Sequence, residues 1–481
     1  MQRSAGILLH PTSLPGPYPV GDLGTVAYRW IDWLAGAGAT WWQVLPINPP
    51  GFAASPYQAT SAFAGNPLLI SPEQLLADGL IDRIPPVERS SGPVDFERAE
   101  TWKAPLVTEA ADRLPRDDRF RSFRSENAAW LDDFALFQTL KAEYGGVSLF
   151  DWPNPLRRRG PDAIAAARID FAAEIEREAA RQFLFFDQWA RLRTYAAEQG
   201  VRLMGDIPIF VASDSADFWA RPELFDLDGD GHPRVVAGVP PDYFTETGQL
   251  WGNPLYHWDA HAAEGYAWWI ARFRKLLELV DTVRIDHFRA FADFWEIPAN
   301  SPTAEHGSWV LGPGRQFFEA VRDGLGNLPF VAEDLGEIHA IVPELRDAFG
   351  LPGMKIAQFS FTTPPDPPST WPTHTIGYTG THDNDTARGW WATASEVEKE
   401  RAAILEGVHH STISTDLIRA VWGSDSMIAF APIQDVLDLG TEARMNIPGT
   451  VGSHNWTWRL DRLPGTEEAA RLQRLNLDTG R

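Results

Sequence analysis

The chain has 481 residues, 44% apolar and 22% charged, enough to bury a large core as two or three domains or as one barrel carrying insertions. Its 42 basic and 65 acidic residues leave a formal charge of −23, which argues against nucleic-acid or anionic-membrane partners and leaves a neutral substrate unaffected. The absence of cysteine excludes disulfides, thiol nucleophiles, iron–sulfur clusters and Cys-ligated zinc.

Behind Arg3, the apolar run Ala5–Leu9 is too short for the core of a secretory signal. No stretch approaches the ~18 uninterrupted apolar residues of a membrane span, so a cytoplasmic location is expected. Short apolar runs then alternate with segments of helical period. Ala5–His10 is followed by a helical Gly24–Ala37, then Thr40–Pro46. A long irregular region holds a helical segment near Leu131–Tyr144, and a helical Ala180–Gln199 leads into Val201–Phe210. After a loop-rich stretch to about His261 come a helix Gly265–Leu279 and the run Thr282–Phe288. The remaining runs are Pro329–Leu335, Met354–Phe361, Thr373–Tyr378 and Met427–Pro432. A final helix is expected within Arg444–Arg481, with no all-β module after the eighth run.

About eight such runs separated by helices is the pattern of a closed parallel α/β barrel, although an open doubly wound sheet has the same signature at this level. The chain reads as one unit, 1–481, with insertions at about 47–180 and 211–262, after the second and third strands.

Acidic residues stand at the ends of four of these runs: Asp206, Asp286, Glu333 with Asp334, and Asp383 in Gly380-Thr-His382-Asp383. At the carboxyl end of a barrel strand such groups point into one shared mouth, where catalysis takes place. One such residue alone serves as often to cap the next helix; four strands ending this way favour chemistry. Arg284 lies two residues before Asp286, so the strand period puts both on one face, where the guanidinium favours an ionised carboxylate. An ionised carboxylate beside a protonated one is the equipment for breaking acetals. The 21 tryptophans suit sugar faces, and many must also fill the core.

These segments resemble a known family. Arg284-Ile-Asp-His-Phe-Arg289, Ala332-Glu-Asp-Leu-Gly336 and Gly380-Thr-His-Asp-Asn-Asp-Thr386 are similar to the three catalytic segments of the 4-α-glucanotransferases, or amylomaltases, of glycoside hydrolase family 77. Further matches span the chain: Gly6–Pro15, Ser55-Pro-Tyr-Gln58, Gly205-Asp-Ile-Pro-Ile209, Gly238-Val-Pro-Pro-Asp-Tyr243, Gly248-Gln-Leu-Trp-Gly-Asn-Pro254, Pro448-Gly-Thr450 and Asn455-Trp456. The resemblance implies a (β/α)8 TIM barrel without the C-terminal β domain of α-amylases. It casts Asp286 as nucleophile, Glu333 as general acid/base and Asp383 as transition-state stabiliser. Asp206, Arg284 and His382 become supporting subsite residues, and Tyr57, Gln249, Trp251, Asn253 and Asn455 fall in substrate-binding loops. The chain departs from the family in Ala290, where glycine is common, and in Phe52-Ala53-Ala54, which replaces a more polar loop.

The implied activity is transfer of α-1,4-glucan segments between maltooligosaccharides through a covalent glucosyl–enzyme, with no metal or organic cofactor. The rivals are an α-amylase-type hydrolase using the same three acids and a non-catalytic glucan-binding protein. The segment Gly238–Pro254, with Trp251, favours transfer because it is long enough to close over the intermediate and exclude water. Asp226–Gly231 imitates the start of a calcium loop, but Ala237 stands where a bidentate Glu is required, and an Asx turn is expected instead.

Overall fold

The computed structural model describes residues 3–87, 92–241, 246–336 and 339–481. Numbered along the chain, eight parallel strands form one sheet: β1 (Ser4–Leu8), β2 (Trp41–Gln43), β3 (Arg202–Ile207), β6 (Thr282–Ile285), β9 (Phe330–Ala332), β10 (Gly353–Ile356), β11 (Thr375–Tyr378) and β12 (Ile428–Pro432). Their spatial order is their chain order, and β12 pairs with β1. The seam between β9 and β10 is closed by Ala332 N–H donating to Pro352 O at 2.9 Å. The sheet is therefore a (β/α)8 barrel, as the alternation of runs and helices predicts.

The strands are short and buried on both faces, which is why they read as continuous apolar runs. Trp41, Met204, Val331, Met354, Ile356, Ile376, Tyr378, Ile428 and Phe430 fill the barrel interior. Gly6 is the space that lets this happen: a Cβ there would lie 2.3 Å from the Phe430 ring and 2.6 Å from Trp41 Cβ. A larger core, including Trp30, Trp42, Trp189, Trp269 and Trp422, lies between the barrel and its helices. Most tryptophans named here thus serve packing.

Residues between β2 and β3 form a helical layer rather than an irregular region. Its long helices are Phe96–Arg113, Asp118–Glu143 and Ala172–Glu198. Asp95 and Asp117 begin the first two, their carboxylates accepting from Arg98 N–H at 2.9 Å and Phe120 N–H at 3.0 Å.

A second sheet was not legible in the sequence. β4 (Val235–Val239) and β5 (Gln249–Pro254) pair with each other, and β7 (Asp293–Pro298) and β8 (Ser308–Leu311) extend them, all antiparallel, in the order β5-β4-β7-β8. It joins the excursion after β3 to the one after β6, so both carry a loop-like reading only when taken separately. The final helix is Thr466–Thr479, and among the described residues no strand follows β12. No described helix is long and apolar enough to cross a membrane.

Candidate active site

Asp206 is paired in register with Arg284 across β3 and β6, so the two side chains meet inside the barrel mouth. Arg284 Nη1 donates to both Asp206 oxygens, at 2.9 and 2.7 Å, and lies 2.9 Å from Asp286 Oδ1. The same-face spacing of Arg284 and Asp286 is thus realised, with one guanidinium holding two carboxylates. Asp206 and Arg284 are almost wholly enclosed, whereas the Asp286 side chain keeps 26% of its surface open. Tyr57 closes the far side of Asp206, its hydroxyl donating to Oδ2 at 2.9 Å.

Glu333 directly follows β9. Its Oε2 accepts the His287 N–H at 2.7 Å and its Oε1 the Leu335 N–H at 3.3 Å. His287 adopts a left-handed backbone, φ 48°, a conformation that a non-glycine residue holds only where its surroundings enforce it. That turn, just after Asp286, is what presents the N–H to Glu333. The neighbouring acid faces away: Asp334 accepts from Arg346 and from Met354 N–H at 2.8 Å, tying β9 to β10. Of the two acids ending that run, one enters the mouth and one braces the seam.

Asp383 lies beyond β11 on an irregular segment. Its Oδ1 accepts from Asn446 Nδ2 at 2.7 Å, and its Oδ2 lies 3.3 Å from His382 Nε2. His382 stacks on Tyr57, centroids 5.2 Å apart and planes at 13°, and Trp456 flanks both rings. The other acid and amide of this segment are spent on backbone and hydroxyl partners. Asn384 Oδ1 accepts Thr381 N–H at 2.9 Å, and Asp385 Oδ1 accepts Thr386 N–H at 2.7 Å.

Electrostatically the mouth is short of cations. Burial pushes the Glu333 carboxyl up to about 8; Arg284 opposes this and the Asp286 charge adds to it. Burial also raises Asp286, with Arg284 opposing and Asp383 reinforcing. Asp206 is raised to about 7 by burial against the pull of Arg284. Burial lowers His382 and His287 to about 4, so both rings are neutral at pH 7.

The remaining sequence candidates divide. Trp251 on β5 sets its indole edge-on against the His287 ring at 4.9 Å and donates from Nε1 to Gln249 Oε1 at 3.2 Å. Trp251 therefore reaches the His287 ring, and Gln249 reaches it only through Trp251. Asn253 is buried, and its amide donates to Val211 O at 2.9 Å and accepts from Gln58 Nε2 at 3.0 Å. Asn455 is buried too: it accepts Ile447 N–H at 3.0 Å and donates to Thr450 O at 3.0 Å. Both amides shape loops rather than face the acids. Asp242 and Tyr243 of the Gly238–Tyr243 segment lie outside the described residues. His287, Asn446 and Arg444 were not singled out from sequence; the left-handed turn and the loop contacts that involve them leave no periodic signal. Asp228 forms the expected Asx turn, accepting from Asp230 N–H at 2.8 Å and His232 N–H at 2.9 Å. Among the described residues no three His, Asp or Glu side chains are arranged to hold a metal ion.

Comparison with known proteins bears on this arrangement. The family model described as 4-alpha-glucanotransferase, glycoside hydrolase family 77, matches residues 9–464. A 4-alpha-glucanotransferase of Thermus thermophilus is 47% identical, covering 98% of each chain. A chloroplastic/amyloplastic 4-alpha-glucanotransferase of Arabidopsis thaliana is 44% identical over 95% of this chain and 82% of its own. Among solved structures, an amylomaltase of Streptococcus agalactiae in complex with acarbose superposes with a TM-score of 0.95 at 35% identity, covering 100% of both chains. The chain belongs to the 4-alpha-glucanotransferase family, glycoside hydrolase family 77.

Proposed function

We propose that the protein carries out glucan transfer as a retaining double displacement, in one catalytic unit spanning the chain, with maltooligosaccharides as donor and acceptor. Asp286 attacks the anomeric carbon of the donor; the bond to the leaving oxygen breaks, and Glu333 gives that oxygen its proton. The glucosyl ester on Asp286 is then attacked by the 4-hydroxyl of a second glucan. Glu333 takes the hydroxyl proton, the ester bond breaks, and a new α-1,4 bond replaces the old one. Asp383 faces the sugar as charge develops, and Asp206 and Arg284 hold the nucleophile in place.

The observation that carries this reading is the unequal treatment of two neighbouring acids. Asp286 shares the guanidinium of Arg284. The Glu333 oxygens are held by the His287 and Leu335 backbone N–H groups, and its carboxyl is raised to about 8. Asp206, Asp286 and Glu333 crowd one guanidinium, which pairs directly with the first two, and the proton falls on Glu333, the buried acid left without that pairing. Trp251, beside His287, supports sugar over water as acceptor by covering the intermediate. The charge of −23 is no obstacle to a neutral glucan, and a cysteine-free chain is in keeping with a cytoplasmic setting.

Incubation with maltotriose is the test. A ladder of longer oligomers together with glucose is expected, with retained α configuration in the new bonds; shorter sugars alone would replace transfer by hydrolysis. Asp286→Asn should remove both activities by about three orders of magnitude or more while the melting curve is preserved. Retention of more than about a tenth of the wild-type rate would end the nucleophile assignment.

A further inference from the structure

The acids of this site are positioned in two ways. Asp286 and Glu333 directly follow barrel strands, whose ladders fix where they point. Asp383 has no such support. It stands several residues beyond Tyr378, the end of β11, with 39% of its side chain exposed.

What replaces the strand is the segment Arg444–Asn446. Asn446 N–H donates to His382 O at 3.1 Å. Arg444 Nη2 donates to Asp383 O at 2.6 Å, and Arg444 Nε donates to Asn446 O at 2.7 Å. The first joins backbone to backbone, and the other two are donated by the Arg444 guanidinium to the two backbone carbonyls. The fourth, from Asn446 Nδ2 to Asp383 Oδ1 at 2.7 Å, fixes the carboxylate itself. Asn446 is 9% exposed, so the amide is enclosed and ready-aimed. The second oxygen, Oδ2, meets the His382 ring, which Tyr57 pins by stacking.

We propose that Asn446 is the positioning residue for Asp383: its side-chain amide fixes the rotamer of that carboxylate, and Arg444 locks the amide-bearing segment to the loop. This rests on the reading that Asp383 faces the reacting sugar. An acid free to rotate would meet the sugar hydroxyls in the wrong geometry, and a displacement of about 1 Å can cost on the order of a hundredfold in rate. None of these first three bonds involves the amide side chain, so its removal should leave the loop in place.

The experiment compares Asn446→Ala, Asn446→Asp and Asp383→Asn with their double variants on maltotriose, with melting curves. Asn446→Ala should lower kcat by about ten- to a hundredfold with the donor KM within about threefold. Asn446→Asp keeps the shape but replaces the donor by an acceptor, so it should be no better than alanine. Asn446→Ala on the Asp383→Asn background should cause no further loss, because the two act as one unit. If both single Asn446 variants stay within about twofold of wild type, or if Asp restores what Ala loses, the amide is packing only and the proposal is overturned. Should the alanine variant not fold, the isosteric aspartate supplies the same readout. An inactive Asp383→Asn with intact Asn446 variants overturns this proposal alone; an active Asp383→Asn overturns the assignment of Asp383 beneath it.

Discussion

Two buried cations show how differently one protein uses enclosed charge. Lys103, 1% exposed on the helix Phe96–Arg113, donates to Asp22 Oδ2 at 3.0 Å and to Leu68 O at 2.7 Å. The other Asp22 oxygen accepts Gly24 N–H at 2.9 Å. Arg459 and Glu73 act on this pair from further out, so cations and carboxylates are even in number. Burial lowers Lys103 and raises Asp22, and each partner opposes the shift in the other. Arg284 is the opposite case. It is felt by Asp206, Asp286 and Glu333, and Asp383 bears on Asp286 in turn. A balanced pair with its bonds satisfied holds a scaffold. An unbalanced cluster must keep a proton, and a kept proton can be delivered.

The comparison breaks most visibly at Glu333. Glu333→Gln should lower turnover of maltotriose by about three orders of magnitude, yet cost far less with α-glucosyl fluoride, whose leaving group needs no proton. Equal losses on both substrates would show that the retained proton is not the one delivered. The pH dependence follows from the same group, which feels the charges of Arg284, Asp286 and Asp334. Activity should fall as pH rises through about 8, where Glu333 loses its proton. For stability, a carboxyl raised in the folded state binds its proton more tightly there than in the unfolded chain. Its contribution is therefore complete below the ordinary value of 4.5 and lost as pH rises through about 8. The melting temperature of Glu333→Gln relative to wild type should accordingly rise between pH 5 and pH 9. A gap that does not change with pH would place the proton elsewhere in the cluster.

The balanced pair should fail in the other currency. Lys103→Met leaves Asp22 buried and unpaired, and should cost about 3–5 kcal/mol of stability with kcat per folded molecule little changed. Removing both charges, in Lys103→Met with Asp22→Leu, should return much of that loss. Denaturant unfolding and active-site-normalised rates measure the two effects separately. Lost turnover at unchanged stability would make this pair part of the catalytic apparatus and dissolve the distinction.

What could be read from sequence follows the same line. Asp206, Asp286, Glu333 and Arg284 were legible because a strand fixes the direction of a side chain by counting residues. Within the run ending Glu333-Asp334 both acids were expected in the mouth, but only Glu333 enters it, and Asp334 braces the seam through Met354 N–H. The four-stranded sheet was not legible. Its strands come from two excursions, Val235–Pro254 and Asp293–Leu311, and no local pattern records a pairing between distant segments. Gly252, at φ 78°, and the Asn253-Pro254 end further disguise β5 as a loop. Asn253 and Asn455 show the converse limit. Each lies in a segment matching the family, yet the Asn253 amide is taken by Val211 O and Gln58 and that of Asn455 by its own loop. Asn446 carries no periodic signal at all, and only its 2.7 Å contact with Asp383 gives it a role.

The smallest effect is expected at Trp251, where the site and the second sheet meet. Its indole touches His287 at 4.9 Å, and its carbonyl O lies 3.5 Å from Gln58 Nε2. His287 is the residue whose N–H holds Glu333. Trp251→Ala should thus remove a cover over the intermediate without removing an acid. Loss of an aromatic contact of about 1 kcal/mol should weaken sugar binding roughly fivefold. Separately, the ratio of hydrolysis to transfer should rise by a similar factor as water gains access. The two effects part at saturating acceptor, where weaker binding no longer matters and only partitioning remains. Trp251 is also half-buried against the main core, so packing is the competing explanation. Packing predicts a lowered melting temperature with an unchanged product ratio. Free glucose against oligomer formed, at saturating maltotriose and beside a melting curve, decides between them. An unchanged ratio would assign β5 to the scaffold, with the balanced pair, and leave the choice of sugar over water to the acids and their loops alone.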